Sequence, residues 1–290
     1  MGAKWMRINE NDIVKLVFLD VINEKFELQI NNKLLSSDDI KSVWFRRGNI
    51  LSEILEYNNK DIKKFINFEQ SVIEEFLWYI LLKKVYIGNK FNSIPNKLSV
   101  LNIAKNLGFN VPNTFVVSKK SQLRYLLNSS VQFVTKALSD PIVLNSDLYW
   151  IPMHTKTLHL NYLNKIPENF FYSLIQNQVN KKVEVRIAFF NSKFYSVGMF
   201  LDTHPLQGID IRKEISNFRF DCFKLPKEIK NKIKLLMKKL RLNFGLIDLL
   251  VDENCDYYFL EVNPVGQFSY ISNNCNYSLN INIAKYLYYA

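Results

Sequence analysis

Two apolar segments near the C-terminus, each carrying one carboxylate, constrain the fold most. Residues 246–251 (LIDLLV) and 257–262 (YYFLEV) are predicted strands, and the Asp-Glu-Asn turn between them makes them antiparallel neighbours. Asp248 and Glu261 are then expected side by side, with Asn263 on the same face two residues further along. A carboxylate within an apolar strand requires a polar or ionic partner.

The three oxygen-bearing side chains of this hairpin are the hard donors that Mg²⁺ prefers. Because Mg²⁺ leaves part of its coordination shell to water and substrate phosphates, such a set is typical of a site that binds a polyphosphate and neutralises charge during phosphoryl transfer. The alternative is that Asp248, Glu261 and Asn263 are only polar residues at strand ends. The apolar run YYFL directly before Glu261 favours the metal site.

The rest of the chain alternates predicted strands and helices, which is typical of an α/β protein. Strands at 13–18 and 26–30 and a long amphipathic helix at 61–84 predict a small α/β lobe that ends near residue 92. A helix from Lys97 follows, with Gly108 as its expected C-terminal cap. Further predicted elements are strand 113–117, helix 119–128 capped by Ser118, strand 131–136, a hairpin within 142–160, strand 172–176, the hairpin 183–190 and 193–200, a helix from Pro226 to about Leu242, and a last helix from about Leu279 to Tyr288.

Charge and cysteine content narrow the partners and the compartment. The net charge of +11 favours an acidic partner, such as nucleic acid, anionic lipid or an acidic peptide, although a merely solvated basic surface is an alternative. No apolar run reaches the roughly 18 residues of a membrane span, and the N-terminus lacks the apolar core of a secretory signal. Cys222, Cys255 and Cys275 form no CxxC pair and are odd in number, so we expect free thiols in a reducing cytoplasm.

Several short motifs resemble a known enzyme family. Residues 246–248 (LID) and 259–264 (FLEVNP) resemble the C-terminal metal signature of ATP-grasp ligases, which phosphorylate a carboxylate with ATP and let an amine or hydroxyl attack the acyl phosphate. Residues 42–47 (SVWFRR), 263–268 (NPVGQF) and 275–277 (CNY) narrow the resemblance to graspetide maturases, the microviridin-type peptide cyclases, and within them to the grasp-with-spasm branch.

The resemblance implies an ATP-grasp fold of class α/β, built from α+β lobes. Its expected lobes are an N-terminal α/β pre-ATP-grasp lobe over 1–92, a central lobe over 93–182, and a C-terminal antiparallel-sheet lobe over 183–290 that holds the Mg²⁺ site. The expected cofactors are ATP and Mg²⁺, with Asp248, Glu261 and Asn263 as the metal ligands.

The resemblance also assigns nucleotide-binding residues. Lys97 and Lys136 match the two lysines that bind ATP, and a lysine is a compact charge suited to phosphate oxygens. Residues 174–179 match the hinge that binds adenine, and Glu184 matches the carboxylate that holds the ribose hydroxyls; a salt bridge with Arg186 is the alternative for Glu184. The hinge residues expected to bind the nucleotide are Gln176, Asn177, Gln178 and Val179.

Two arginines match catalytic positions near the phosphates. Arg186 and Arg212 are the candidates, and Arg212, at the end of residues 209–212 (IDIR), is favoured for stabilising charge on the transferred phosphoryl group. A surface-loop arginine is the alternative for Arg212. The chain departs from the family in the loop that covers the phosphates, because residues 137–149 (ALSDPIVLNSDLY) contain no glycine.

The implied partner is a precursor peptide with a leader segment and an acidic core. In the family the leader docks between a central-lobe hairpin, here about 142–160, and a C-terminal-lobe helix, here 227–241, whose basic face fits an acidic leader. A solvated face is equally consistent with the sequence. Neither a nucleic acid nor a membrane is expected as a partner. A homodimer is compatible with the resemblance. The expected location is cytoplasmic.

Three functions are therefore compared. The leading one is a peptide macrocyclase that uses ATP to form side chain–side chain esters or amides. The second is an amino-acid ligase of the ribosomal-protein glutamate ligase type, which a neighbouring gene for a Thr/Ser- and Asp/Glu-rich precursor would argue against. The third is a basic nucleic-acid-binding protein, but no helix-turn-helix, zinc-finger or RNA-recognition signature is found in the sequence.

Overall fold

The fold is described from a computed structural model, which covers residues 2, 4–52, 58–138, 144–146, 149–151, 155–201 and 218–289. Helices and strands alternate along the chain, and the strands form several separate sheets. The predicted α/β class with α+β lobes is confirmed.

The N-terminal elements form an antiparallel three-stranded sheet and a helix packed on it. Asn59 caps this helix, because its side chain accepts a hydrogen bond from the Asp61 N–H (2.8 Å). Leu77, Trp78, Ile80 and Leu81 bury the C-terminal half of the helix against the sheet. The elements are β1 (Val14–Asp20), β2 (Lys25–Ile30), β3 (Lys33–Ser36), β4 (Ser42–Trp44), α1 (Lys60–Leu81) and β5 (Val85–Ile87), where β4 and β5 pair in parallel.

The middle of the chain forms a four-stranded sheet in the order β10-β7-β11-β6 with antiparallel pairing. The predicted cap at Ser118 is wrong: Lys119 is the N-cap, because the Gln122 side chain accepts from the N–H groups of Ser118 and Lys119 and the strand continues to Lys119. The elements are α2 (Lys97–Asn106), β6 (Thr114–Lys119), α3 (Lys120–Leu127), β7 (Phe133–Lys136), β8 (Leu144–Ser146), β9 (Tyr149–Ile151), β10 (Lys156–Leu158) and β11 (Asn169–Asn177).

The predicted hairpin within 142–160 is confirmed for its described part. Strands β8 and β9 pair with each other in antiparallel register, with Leu144 opposite Ile151. The third strand of the region, β10, leaves the hairpin and pairs with β7 instead.

The C-terminal elements form a five-stranded antiparallel sheet in the order β14-β13-β12-β15-β16. Asn191 and Ser192 make the turn between strands Lys181–Phe190 and Lys193–Leu201, with φ of 44° and 63°. The elements are β12 (Lys181–Phe190), β13 (Lys193–Leu201), β14 (Phe218–Cys222), α4 (Lys227–Lys239), β15 (Phe244–Asp252), β16 (Tyr257–Asn263), α5 (Ser269–Cys275) and α6 (Leu279–Tyr288).

Helices cover both faces of this sheet. On one face α4 buries Ile233, Leu236 and Met237, and α2 adds Ala104 to the same apolar cluster. On the other face α5 and α6 pack against a second cluster of aliphatic and aromatic residues. Because α2 packs against β16, the first residue of α2 is brought to the end of that strand.

The structure corrects the expectation of three free thiols. Cys222 on β14 and Cys275 on α5 form a disulfide, with their Cα atoms 5.4 Å apart, whereas Cys255 is free and exposed. No pattern in the sequence indicates this pair, because α5 has only seven residues and the cysteines are separated by 53 residues. Among the helices in the described ranges, none has the length and apolarity to cross a membrane.

Candidate active site

The two carboxylates predicted to be neighbours are neighbours. Asp248 on β15 lies opposite Glu261 on β16, and Asn263 lies opposite Leu246 further along the same pair of strands. The register shifts directly after Asp248, so that Leu260 is an extra residue on β16. The Asn263 side-chain oxygen accepts a hydrogen bond from the Val265 N–H (3.1 Å), which anchors the turn after the strand.

Arg186 extends this row of charged side chains onto a third strand. It lies opposite Asp248 across β12 and β15, with its Nε 3.5 Å from Asp248 Oδ1. Its Nη2 is 3.4 Å from Glu184 Oε1, and its Nη1 donates to the Tyr270 hydroxyl (3.4 Å). Arg186 therefore contacts two carboxylates and a phenol around the centre of the sheet.

Glu184 makes the ion pair that the sequence offered as the alternative to ribose binding. Its side chain is nearly buried and contacts Lys181 Nζ (3.0 Å) as well as Arg186. A carboxylate with two oxygens accepts several hydrogen bonds, so these contacts are compatible with ribose binding, which stays a prediction.

Burial and charge act on Asp248 in opposite directions. Burial raises the pKa of Asp248 to about 7; the positive charge of Arg186 opposes this, and the negative charge of Glu261 adds to it. Burial likewise raises the pKa of the Tyr270 hydroxyl to about 12. A buried carboxylate beside a second carboxylate is a position where a divalent cation would relieve both desolvation and repulsion.

The two predicted phosphate-binding lysines converge on the same carboxylates. Lys97 is the first residue of α2, capped by the Asn96 side chain, and its Nζ lies 3.6 Å from Glu261 Oε2. Lys136 ends β7; burial lowers its pKa, while the charges of Glu261 and Asp248 raise it. Lysines from two separate elements thus share the electrostatic environment of the strand pair.

The donor set fits Mg²⁺. Two adjacent carboxylates lie within β15 and β16, one of them with its pKa raised by burial, and the Asn263 side-chain amide lies at the last residue of β16. Its oxygen accepts from the Val265 N–H and keeps a second lone pair that a metal could use. No group of three His, Cys, Asp or Glu side chains with metal-site geometry occurs among the described residues. A metal would therefore complete its shell with the amide, water and phosphate oxygens rather than with a third carboxylate.

Two backbone N–H groups of the predicted adenine hinge, residues 174–179, already donate hydrogen bonds within the protein. The Asn177 N–H donates to the Asn113 carbonyl (2.9 Å) and the Gln178 N–H donates to the Gln132 carbonyl (2.8 Å). Buried Gln176 donates from its side chain to the Thr114 hydroxyl. An adenine would therefore meet the carbonyl groups of this segment or its C-terminal end near Val179, because these two N–H groups already have acceptors.

Two predicted parts of the site lie outside the described residues. Arg212 is one of them. The other is residues 139–143 and 147–148 of the glycine-free segment 137–149. Conversely, the structure adds Tyr270, which the sequence analysis missed because the short helix α5 was not predicted. Its position close after residues 263–268 was the only signal in the sequence.

Comparison with solved structures identifies the fold. The macrocyclase MdnC bound with the precursor peptide MdnA, from Microcystis aeruginosa MRC, has a TM-score of 0.73 at 19% identity, covering 90% of this chain and 82% of that chain. The RiPP-associated ATP-grasp ligase of Chryseobacterium gregarium, in complex with ADP and a leader and core peptide, has a TM-score of 0.76 at 22% identity, covering 90% and 80%. This chain has the ATP-grasp fold.

A third solved structure supports the same fold, whereas the comparisons with family models and curated proteins found no match. The macrocyclase MdnB from Microcystis aeruginosa MRC shares the ATP-grasp fold with this chain at a TM-score of 0.70 and 19% identity, covering 96% of this chain and 87% of that chain. No protein-family model and no curated protein matches the sequence. The resemblance to ATP-grasp proteins drawn from short motifs is thus confirmed at the level of the fold.

Proposed function

We propose that this chain is an ATP-dependent peptide macrocyclase that joins side chains of a ribosomal precursor peptide. The observation that carries the proposal is the pair of ionic contacts that Lys97 and Arg186 make with the adjacent carboxylates Glu261 and Asp248. Lys136, at the end of β7, adds a positive charge that both carboxylates influence. This arrangement occurs in a fold shared with macrocyclases that bind precursor peptides.

Each charged residue has a separate role in the proposed reaction. Asp248, Glu261 and Asn263 would hold Mg²⁺, which when bound supplies positive charge to the nucleotide phosphates. Lys97 and Lys136 would bind phosphate oxygens, and Arg186 places a positive charge beside Asp248, with its Nε 3.5 Å from Asp248 Oδ1. Arg212 remains the predicted residue for the transferred phosphoryl group.

The chemistry proceeds in two balanced steps. A carboxylate is a poor electrophile, so its oxygen first attacks the terminal phosphate of ATP and gives an acyl phosphate and ADP. A hydroxyl or amine of the same peptide then attacks the acyl carbon, loses its proton and releases inorganic phosphate. The peptide loses one water for each ring, and proximity makes the closure effectively unimolecular.

Helix α4 is the proposed docking surface for the leader. The basic residues on this helix and at its C-terminal end include exposed Lys227, Lys234, Lys238 and Arg241 and half-buried Lys230, while the opposite face is buried. Opposite charges in partner surfaces raise the association rate and fix orientation. An acidic leader, and an acidic core behind it, is the peptide that this surface would attract.

The exposed face of α1 is the proposed contact between two copies of the chain. Ile62, Phe65, Phe68 and Val72 lie on this face and are each more than two-fifths exposed. Exposed Lys60, Lys63 and Lys64 lie near the N-terminus of the helix, and exposed Glu69 and Glu75 lie further along it. A two-fold axis with the two helices antiparallel would place the lysines of one copy near the glutamates of the other and bury the apolar residues between them.

Peptide-stimulated ATP turnover separates the macrocyclase from the two other functions. ADP release is measured with Mg²⁺ and ATP, and with either the precursor peptide encoded beside the gene or free glutamate plus an acceptor peptide. Stimulation by the precursor alone supports the proposal. Stimulation that requires free glutamate indicates the amino-acid ligase, and salt-sensitive DNA binding without any turnover indicates a nucleic-acid-binding protein.

A further inference from the structure

Two sequence segments more than 200 residues apart meet beside the candidate active site. The Arg46 guanidinium lies 5.1 Å from the Trp44 ring centre and 5.6 Å from that of Phe268. Its Nη1 donates to the Gly266 carbonyl (3.3 Å). The N-terminal motif 42–47 is thus packed on the turn that follows β16.

This turn connects Arg46 closely to the predicted metal ligands. The Gly266 N–H donates to the Asn263 carbonyl (3.3 Å), so the acceptor of Arg46 lies one turn from a metal-ligand candidate. Gly266 also lies against Leu246, the residue opposite Asn263, where an added Cβ would be only 2.6 Å from Leu246 Cδ1. Any side chain at this position would displace the turn, and with it the carbonyl that orients Arg46.

The surroundings of Arg46 are basic and half-buried. Burial lowers its pKa, and the charges of Arg47 and Arg7 lower it further. Within the described part of the chain, no carboxylate lies within ion-pair distance of the Arg46 guanidinium. A negative group at this position would relieve the mutual repulsion of three arginines.

The position of Arg46 separates it from the nucleotide lysines. The Arg46 guanidinium lies beside the Trp44 and Phe268 rings, whose centres are 6.0 Å apart, and its planar fork can match the two oxygens of a carboxylate. The nucleotide lysines Lys97 and Lys136 approach Glu261 from α2 and β7, whereas Arg46 reaches the turn from the N-terminal elements. A peptide carboxylate held there would lie beside the turn 263–266, which begins at the predicted metal ligand Asn263.

We propose, on the basis of the proposed function, that Arg46 binds the acidic side chain of the peptide that the enzyme activates. The site is a carboxylate subsite formed by Arg46, the neighbouring rings of Trp44 and Phe268, and the turn 263–266. Arg47 and Arg7 supply additional positive charge around it.

Equilibrium binding tests this subsite without requiring turnover. The probe is a fluorescently labelled 12-residue peptide of alternating Thr and Glu, compared with the same peptide containing Gln in place of Glu. Both are titrated against the full chain with Mg²⁺ and a non-hydrolysable ATP analogue at physiological salt. The variants are Arg46→Gln, Arg46→Lys and the matched control Arg124→Gln, which removes an exposed arginine from α3.

We expect Arg46→Gln to reduce the preference for the Glu peptide by about tenfold, since a charged hydrogen-bond pair is lost. Arg46→Lys should retain part of the preference, and Arg124→Gln should change it little. Unchanged affinity for the ATP analogue shows that the variants are folded and that Arg46 does not bind the nucleotide. A wild type without any Glu preference, or an Arg46→Gln variant that keeps it, overturns the inference. Peptide binding is measured separately from ring formation. A negative result here would therefore overturn the Arg46 subsite alone, and the macrocyclase proposal would still be decided by ATP turnover and product mass.

Discussion

At the scale of single residues, the candidate site depends on one row of side chains across three strands. Arg186, Asp248 and Glu261 face one another on β12, β15 and β16. Burial of Asp248 and the proximity of Glu261 raise the pKa of Asp248, which Arg186 only partly offsets. Within this row the two carboxylates outnumber the one guanidinium, and Lys97 adds a positive charge 3.6 Å from Glu261.

Removing one of these carboxylates should therefore stop the reaction. We expect Glu261→Ala to lower peptide-dependent ADP formation by about a hundredfold or more, because a metal ion contributes several kcal/mol to the stability of the transition state. The matched control is Glu253→Ala, which removes an exposed carboxylate from the turn between the same strands. Thermal unfolding of both variants reports whether the fold is retained. Full activity of Glu261→Ala would remove Glu261 from the metal site.

At the scale of elements, the basic face of α4 is expected to decide leader affinity. Lys230→Glu combined with Lys234→Glu should weaken leader binding by roughly tenfold at low salt and flatten its salt dependence, because four units of charge are changed. The control reverses two exposed lysines on other elements, Lys105→Glu with Lys119→Glu. If the two double variants bind the leader equally well at low salt, only net charge matters and α4 is a solvated face.

Elements also show where prediction from the sequence succeeds. The adjacency of Asp248 and Glu261 was predictable, because a tight turn between two apolar strands leaves few alternative pairings. The position of Lys97 beside Glu261 depends on the packing of α2 against β16, which no local pattern encodes. Arg46 was recognised only as part of a motif, since its contact with Gly266 joins opposite ends of the chain.

The short helix α5 illustrates the same limit. It has seven residues and its N-cap, Phe268, makes no side-chain cap hydrogen bond, so neither periodicity nor a start signal marks it in the sequence. Packing against the C-terminal sheet stabilises it instead. The misassigned thiols of Cys222 and Cys275 and the missed contact of Tyr270 with Arg186 both follow from overlooking this one helix.

At the scale of the whole molecule, the α1 face predicts a dimer. Sedimentation velocity should give the mass of two chains for the wild type and of one chain for Phe68→Asp, because a carboxylate cannot be buried in an apolar contact without a partner. Phe171→Asp, at a residue on β11 that is even more exposed, should remain dimeric. A monomeric wild type would contradict the proposed interface, as would a Phe68→Asp variant that stays dimeric.

The central claim is that the chain closes rings within a peptide, and intact mass tests it most directly. The enzyme is incubated with ATP, Mg²⁺ and the precursor peptide encoded beside its gene, and the peptide mass is measured before and after mild alkaline hydrolysis. We predict that the peptide loses one water for each ring. Mild base adds the water back if the links are esters, whereas the lower mass persists if they are amides. A peptide whose mass instead increases by an amino-acid residue would contradict the account and assign the chain to the amino-acid ligases.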